Sequence, residues 1–319
     1  MEKASSIREP KPHGRVFPPD THMIGAVDPS GRKRHAALPV LREAFANHPR
    51  RWRDFLYVYP VISRRSRGLS IGINLNPDAA CNFDCVYCSV DRSVPPKVRR
   101  VELPVLAAEL EQMVARRAAL FDEPEFRAIP PEWRRLNDFA FSGDGEPTAS
   151  PVFPEAVELV ARVRREAGLG DVKVVVITDA CYLTRPAVAA ALEVLDANGG
   201  EIWAKLDAGT EEYFRRVNRP NYPLQHVLDN IRAAGQNRSL VIQSLFLRLH
   251  GDPPPPAEIE AYLERLRELL AAGTRVTLVQ VYTVVRRTAE PSATALTEDE
   301  LERIAARVRT LGVRAEVYP

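Results

Sequence analysis

Three of the four cysteines in this chain fall within eight residues, in the stretch Cys81-Asn82-Phe83-Asp84-Cys85-Val86-Tyr87-Cys88, while Cys181 lies far downstream. A disulfide framework spreads its cysteines and pairs them, whereas three clustered thiols read as metal ligands. Two chemistries suit thiolates at this spacing. A structural zinc site wants four donors, commonly paired cysteine knuckles or a nearby imidazole, and no histidine stands between His48 and His226. A fully ligated iron–sulfur cubane takes four cysteines. Three thiolates on one loop would cover three corners and leave one iron open to a non-protein ligand. A two-cluster ferredoxin needs more cysteines than this chain has. Cys181 is expected to be a small buried residue.

Such a loop needs a rigid support. From Leu69 onward short apolar runs alternate with amphipathic stretches, predicting strands over residues 70–75, 138–142, 172–178, 201–208, 240–247 and 276–284. Helices are predicted over 103–120, 154–167, 186–197, 223–236, 257–272 and 297–311. Pro154 and Pro186 suit a first helical turn, and Gly168 and Gly273 suit positions just past a helix end. Thr297 with Glu300 reads as a capping box. Strict alternation implies an α/β fold with a parallel sheet and outer helices. Right-handed crossovers curl such a sheet, and eight units would close it. Six units predict a partial (β/α)6 TIM-like barrel over residues 57–319, after an irregular basic N-terminal extension over residues 1–56. Within that extension, residues 1 to about 36 read as irregular and the first half of 38–55 as helical, interrupted at Pro49. The cysteines then sit on the loop after the first barrel strand, where barrel enzymes carry their chemistry. The insertion over residues 121–137, around Trp133, reads as a lid or a surface loop.

Side chains alternate faces along a strand. Trp203, Lys205 and Asp207 therefore share one face, Gln243 shares another with Val241 and Leu245, and Gln280 shares a third with Tyr282. Parallel strands covered on both sides are normally apolar throughout, so polar residues inside them need partners. Those partners are bound ligands or one another. Lys205 and Asp207 are candidate catalytic residues, and equally a structural pair within the barrel.

The Cys-x3-Cys-x-aromatic-Cys spacing, with Tyr87 before the last cysteine, resembles the signature of the radical S-adenosylmethionine (radical SAM) superfamily. The resemblance implies a [4Fe–4S] cluster on Cys81, Cys85 and Cys88, with the amino and carboxylate groups of S-adenosylmethionine on the open iron. It implies reductive cleavage to a 5′-deoxyadenosyl radical that takes hydrogen from a substrate, the cofactors supplying the hard chemistry. Tyr87 would lie near the adenine and Phe83 would shield the cluster. A second motif, Phe141-Ser142-Gly143-Asp144-Gly145-Glu146-Pro147-Thr148, resembles the superfamily's Gly-Gly-Glu, which receives the methionine ammonium, with Asp144 where the first paired glycine is usual. By the same resemblance Thr178 and Asp179 would approach the ribose, in a Thr178-Asp179-Ala180 stretch where many relatives have Thr-Asn-Gly. Gln243, Gln280 and Tyr282 complete the implied cofactor-binding set. The Gly-x-Gly-Glu-Pro-Thr form, Lys205-Leu206-Asp207-Ala208-Gly209-Thr210 and Val217-Asn218-Arg219-Pro220 are most similar to the wyosine-synthase-related subgroup. The second cluster of those synthases takes three further N-terminal cysteines, and no cysteine precedes Cys81 here.

Residues 1–70 hold fourteen Lys/Arg against six Asp/Glu, in a chain whose net charge is only +2. A basic front end suits RNA phosphates or an acidic electron carrier, and equally a solvated surface. Three readings follow: a radical SAM enzyme for an unidentified substrate, the same chemistry on an RNA base, or a non-catalytic iron–sulfur protein. A reductant such as flavodoxin or ferredoxin is the expected partner. No apolar run is long enough to cross a bilayer and no secretory signal opens the chain, so no membrane partner and a cytoplasmic location are expected.

Overall fold

The computed structural model describes residues 32–46 and 50–319. The chain enters through α1 (Arg32–Ala46) and an antiparallel hairpin of β1 (Val58–Ser63) and β2 (Gly68–Ile73). It continues through α2 (Leu103–Arg116), β3 (Leu136–Phe141), α3 (Phe153–Glu166), β4 (Lys173–Thr178), α4 (Pro186–Ala197) and β5 (Gly200–Lys205). Then come α5 (Glu211–Val217), α6 (Leu224–Asn237), β6 (Leu240–Leu245), β7 (Leu247–Leu249), α7 (Pro256–Ala271) and β8 (Val276–Tyr282). β9 (Ala293–Ala295), α8 (Glu298–Arg309) and β10 (Ala315–Tyr318) finish it. The main sheet runs β1-β2-β3-β4-β5-β6-β8-β10, parallel at every pairing except β1 with β2. It curls into a half-barrel with helices outside, and β7 pairs separately with β9.

The six predicted strands and six predicted helices are all present, and Thr297 and Glu300 form the capping box expected of them. The sheet exceeds the expected six strands by β1 and β10. Pro60 disguises β1, and an edge strand is where a sheet tolerates proline. β10 and α5 are too short, at four and seven residues, to show a period. The extension departs from the irregular reading too: α1 begins at Arg32 and carries Pro39 inside it. Leu41 and Trp52 join the main core, so the described part of the extension packs on the barrel. Residues 1–31 and 47–49, with the break expected at Pro49, lie outside the described residues. Trp133 packs at a tilt against Phe45 at 5.6 Å, and Phe126 against Trp52 at 5.9 Å. The 121–137 insertion is thereby a surface loop packed against the extension.

Alternation sorts each strand. Ile71, Phe139, Phe141, Val174, Ile202 and Ile242 face the helices in the main core. Ala140, Val175, Trp203 and Val241 form a small apolar cluster on the opposite, inner face. Across β5, β6, β8 and β10 the pairing aligns Lys205, Gln243, Gln280 and Glu316 in one row. On the entry side the buried Glu109 of α2 accepts from the backbone N–H groups of Leu56, Tyr57 and Val58, fixing where β1 begins.

A half-barrel has two free edges, β1 and β10, and Arg64 joins them. From the β1–β2 turn its guanidinium donates to the carbonyls of Tyr318 (3.0 Å), Pro319 (2.6 Å) and Thr283 (2.7 Å). Arg64→Ala is expected to lower unfolding stability by about 1–3 kcal/mol, the scale of charge-assisted hydrogen bonds lost to partly buried carbonyls. Urea denaturation checks this, and an unchanged midpoint would show the seam needs no staple.

Candidate active site

The loop after β2 is pinned on both flanks. On one side Asp84 N–H donates to Asn218 O (3.1 Å), Val86 N–H to Val217 O (3.0 Å) and Asn221 N–H to Asn82 O (3.0 Å). On the other, Ala289 N–H donates to Cys88 O (2.6 Å) and Glu290 N–H to Val86 O (3.2 Å). Val86 is buried with Val217, Leu245 and Leu247, and Phe83 packs edge-on against Phe214 at 5.3 Å. Cys81, Cys85 and Cys88 are half-buried and line one cavity of about 280 Å³. Among the described residues, no three His, Cys, Asp or Glu side chains converge to hold a single metal ion. A cubane asks for something else: thiolates spaced around a shared volume, each on its own iron.

Burial pushes the Cys81 and Cys85 thiols up to about 12. These sulfurs ionise when a cation takes the proton's place, as metal binding requires. Two N–H donors already point at the thiols: Asn218 Nδ2 lies 3.5 Å from Cys85 Sγ and Arg92 Nη1 3.5 Å from Cys88 Sγ. Such outer contacts are what orient metal ligands. Cys181 is buried, its sulfur 3.9 Å from Asp179 O, and it is not part of the cavity wall. The donor set thus fits a cluster with three protein ligands.

The second motif abuts the first. A Cβ on Gly145 would come within 1.9 Å of Ala80 O, so only glycine lets this turn press on the backbone just before Cys81. Glu146 is only 2% exposed. Its Oε1 accepts from Thr148 N (3.0 Å), Thr148 Oγ1 (2.5 Å) and Thr178 Oγ1 (2.7 Å), while Oε2 accepts from Asp179 N (2.7 Å) and faces the Asp179 carboxyl. Oε2 therefore keeps a lone pair for a cation from the cavity. Asp179 in turn accepts from Asn82 Nδ2 (2.9 Å) and Cys181 N (2.9 Å). Burial, then the facing Asp179 carboxylate, pushes Glu146 up to about 8, and burial raises Asp179 as well.

Lys205 and Asp207, read together from the sequence, take different places. Lys205 faces the cavity, donating to Tyr282 Oη (2.8 Å) and lying 3.3 Å from Asp207 Oδ2. Burial opposes its charge, but Asp207, then Tyr282 and Cys85, hold it protonated. The Asp207 side chain has no exposure and is spent on Tyr87 Oη, Asn218 Nδ2 (2.8 Å) and Leu245 N (2.9 Å).

Of the residues the sequence singled out, Phe83, Tyr87, Ser142, Gly143, Gly145, Glu146, Thr178, Asp179, Lys205, Gln243 and Tyr282 line the cavity with the three cysteines. Asp144, Asp207 and Gln280 do not. Asp144 turns outward to Asn74 Nδ2 (2.7 Å) and Arg50 (3.4 Å), and Gln280 accepts from Gln243 Nε2 (2.9 Å) below the wall. The sequence reading gave no site role to Asn218, named only within a family-like stretch, or to Arg92 and Tyr59, whose hydroxyl meets Ser142 Oγ at 3.1 Å. It also passed over Arg50, Arg65 and Arg286 on the cavity wall. Only Arg64-Arg65, at the hairpin turn, had a local signal: two adjacent cations beside a strand.

Comparison with known proteins agrees with this geometry. The radical SAM superfamily model matches residues 75–248. UPF0026 protein MJ1312 of Methanocaldococcus jannaschii is 30% identical over 179 residues, covering 54% of this chain and 46% of that protein. GTPase Obg of Brachyspira hyodysenteriae is 23% identical over 247 residues, covering 76% of this chain and 32% of that protein. The chain thus spans less than half the length of either relative. Among solved structures, a radical SAM methyltransferase from Sphaerobacter thermophilus superposes with TM-score 0.57 at 16% identity, over 82% of this chain and 68% of that one. Streptococcus suis SuiB bound to S-adenosylmethionine gives TM-score 0.51 at 11% identity, over 80% and 52%. At such identities these two structures show the shared fold.

The raised carboxyls fix a sign. Glu146 holds its proton in the folded chain to about 8 and releases it near 4.5 when unfolded. Its favourable contribution is therefore complete below the unfolded value and lost as pH rises through the folded one. Cluster-free protein is expected to be more than about 1 kcal/mol less stable at about pH 8 than at about pH 5. Glu146→Gln should flatten that slope whatever its absolute stability. Denaturant titrations at the two pH values check this, and equal slopes in both proteins would refute it.

Proposed function

The chain belongs to the radical S-adenosylmethionine superfamily, and within it we propose an enzyme that uses Cys81, Cys85 and Cys88 to hold a [4Fe–4S] cluster, cleaves S-adenosylmethionine reductively and takes hydrogen from a substrate in the half-barrel. Members of this superfamily draw their electron from an external reductant. A cluster held by Cys81, Cys85 and Cys88 would supply one electron for breaking a carbon–sulfur bond of S-adenosylmethionine, releasing methionine. The observation that carries the reading is convergence. The three thiols, Glu146 and Asp179 from loops after β2, β3 and β4, and Lys205 from the end of β5, face one cavity.

The protein's own contribution is placement. Glu146 Oε2, with its remaining lone pair, receives the methionine ammonium of S-adenosylmethionine. Asp179, beside it, accepts from a ribose hydroxyl. Phe83 closes the loop side of the cavity against water, and Tyr87 bounds the adenine. Lys205, kept cationic, faces the reacting groups as the candidate catalytic residue. Asp207 touches none of them and acts as a positioning residue, fixing Lys205, Tyr87 and Asn218 together. Residues 57–319 form the catalytic domain in this reading, and the described part of the extension over residues 1–56 packs against it through Leu41 and Trp52.

Protein reconstituted without oxygen, reduced with dithionite and given S-adenosylmethionine is expected to release 5′-deoxyadenosine. The Cys81, Cys85 and Cys88→Ala variant should release none. Product formation by both proteins, or by neither although the cluster assembles and binds S-adenosylmethionine, would count against the reading.

A further inference from the structure

Beyond Tyr282 the cavity wall carries Arg50, Arg64, Arg65 and Arg286. Three of these guanidinium groups have fixed partners. Arg64 is held by the three carbonyls of the seam, Arg50 by Asp144 (3.4 Å) and Ser89 Oγ (2.8 Å), and Arg286 Nε donates to Phe45 O (3.2 Å). Arg65 differs. Its Cζ lies 5.6 Å from the Trp203 ring centroid and 5.1 Å from that of Tyr282, so the group is stacked and ordered. Yet its Nε is buried with no acceptor, and its guanidinium forms no ion pair or hydrogen bond with the described residues.

The local charge is unbalanced. Among the described residues, Asp138 is the carboxylate in this part of the wall; it is buried, takes a hydrogen bond from Ser70 Oγ, and has its proton affinity raised by burial against the pull of Arg65, which attracts it without an ion pair. Burial, then Arg50 and Arg65, pushes the Arg286 guanidinium down to about 9. Like charges gathered in a partly dry cavity are costly unless an anion joins them. A planar guanidinium with its donors unspent suits a bidentate oxyanion.

We propose that this end of the cavity is a subsite for the phosphate or carboxylate group of a small-molecule substrate, bound by Arg65 with Arg286 beside it. The inference rests on the reading that hydrogen is taken within this cavity, and it names the substrate class. S-adenosylmethionine's own carboxylate has another cation nearer the cysteines. Lys205 lies on the cluster side of Tyr282, 5.1 Å from the Tyr87 ring, and acts electrostatically on Cys85. A polymer's phosphates call for an extended basic track, whereas these groups share the wall of one cavity of about 280 Å³.

The test is calorimetric titration of the cluster-loaded full chain with inorganic phosphate, and separately with succinate, at constant ionic strength. Saturable binding of at least one is expected, persisting with S-adenosylmethionine present and weakened more than about tenfold in Arg65→Gln, the scale of a lost charge-assisted hydrogen bond. Tighter phosphate binding assigns a phosphorylated substrate, and tighter succinate binding a carboxylate. If Arg65→Gln fails to fold, Arg65→Lys serves, keeping the charge without the fork and binding more weakly than the parent. The proposal is overturned if neither anion binds, if the variant binds as the parent does, if S-adenosylmethionine displaces the anion, or if a short RNA competes where small anions do not. Anion binding without 5′-deoxyadenosine formation would sink the reaction reading alone, and the converse would sink this subsite alone.

Discussion

One buried carboxylate ties the site together. Asp207 accepts hydrogen bonds from Tyr87 on the cysteine loop, Asn218 beyond α5, Leu245 N at the end of β6, and pairs with Lys205 at the end of β5. Four segments distant in sequence are thereby held at one point. A charge taken out of water persists only with its acceptor sites filled by good donors, and Asp207 meets that demand with partners from each segment. Asn218 then reaches on toward Cys85 Sγ at 3.5 Å, so the orientation of a thiol depends on a residue that never touches the cavity.

The cavity is electrically divided along its length. Near the cysteines, burial favours protons on Cys81, Cys85, Glu146 and Asp179. In the proposed reading, that end loses protons when cations arrive, a metal cluster at the sulfurs and an ammonium at Glu146. Past Tyr282 the guanidinium groups reverse the sign. Lys205 stands between, its ammonium 5.1 Å from the Tyr87 ring and 5.4 Å from the Tyr282 ring. A molecule with a cationic and an anionic end would have only one favourable direction in such a field.

The fold was legible where local signals were strong. Apolar runs, helix-start prolines and the Thr297–Glu300 box placed six strands and six helices. The hairpin strand around Pro60 and the four-residue β10 escaped because their pairing partners, not their own patterns, make them strands. In the site, the thiols, Lys205, Gln243 and Tyr282, singled out by cysteine spacing and strand alternation, lie on the cavity wall, while Gln280, read on the same face as Tyr282, does not. They did not separate Lys205 from Asp207, because β5 ends at Lys205, short of the expected 201–208, and the alternation stops there. Asp144 was read from its motif alone, while Arg50, from a distant segment, draws it outward. Arg65, Arg286 and Asn218 carried no periodic signal, since only the curl of the sheet and the pinned loop bring them in.

The central claim is that the three cysteines leave one iron of a [4Fe–4S] cluster open to S-adenosylmethionine. Electron paramagnetic resonance of the reduced, cluster-loaded protein tests it directly, recorded before and after S-adenosylmethionine is added. The account predicts a [4Fe–4S] signal whose shape changes when S-adenosylmethionine binds. A signal that stays the same at saturating S-adenosylmethionine, or a purified protein that holds zinc in place of iron at these cysteines, would contradict it.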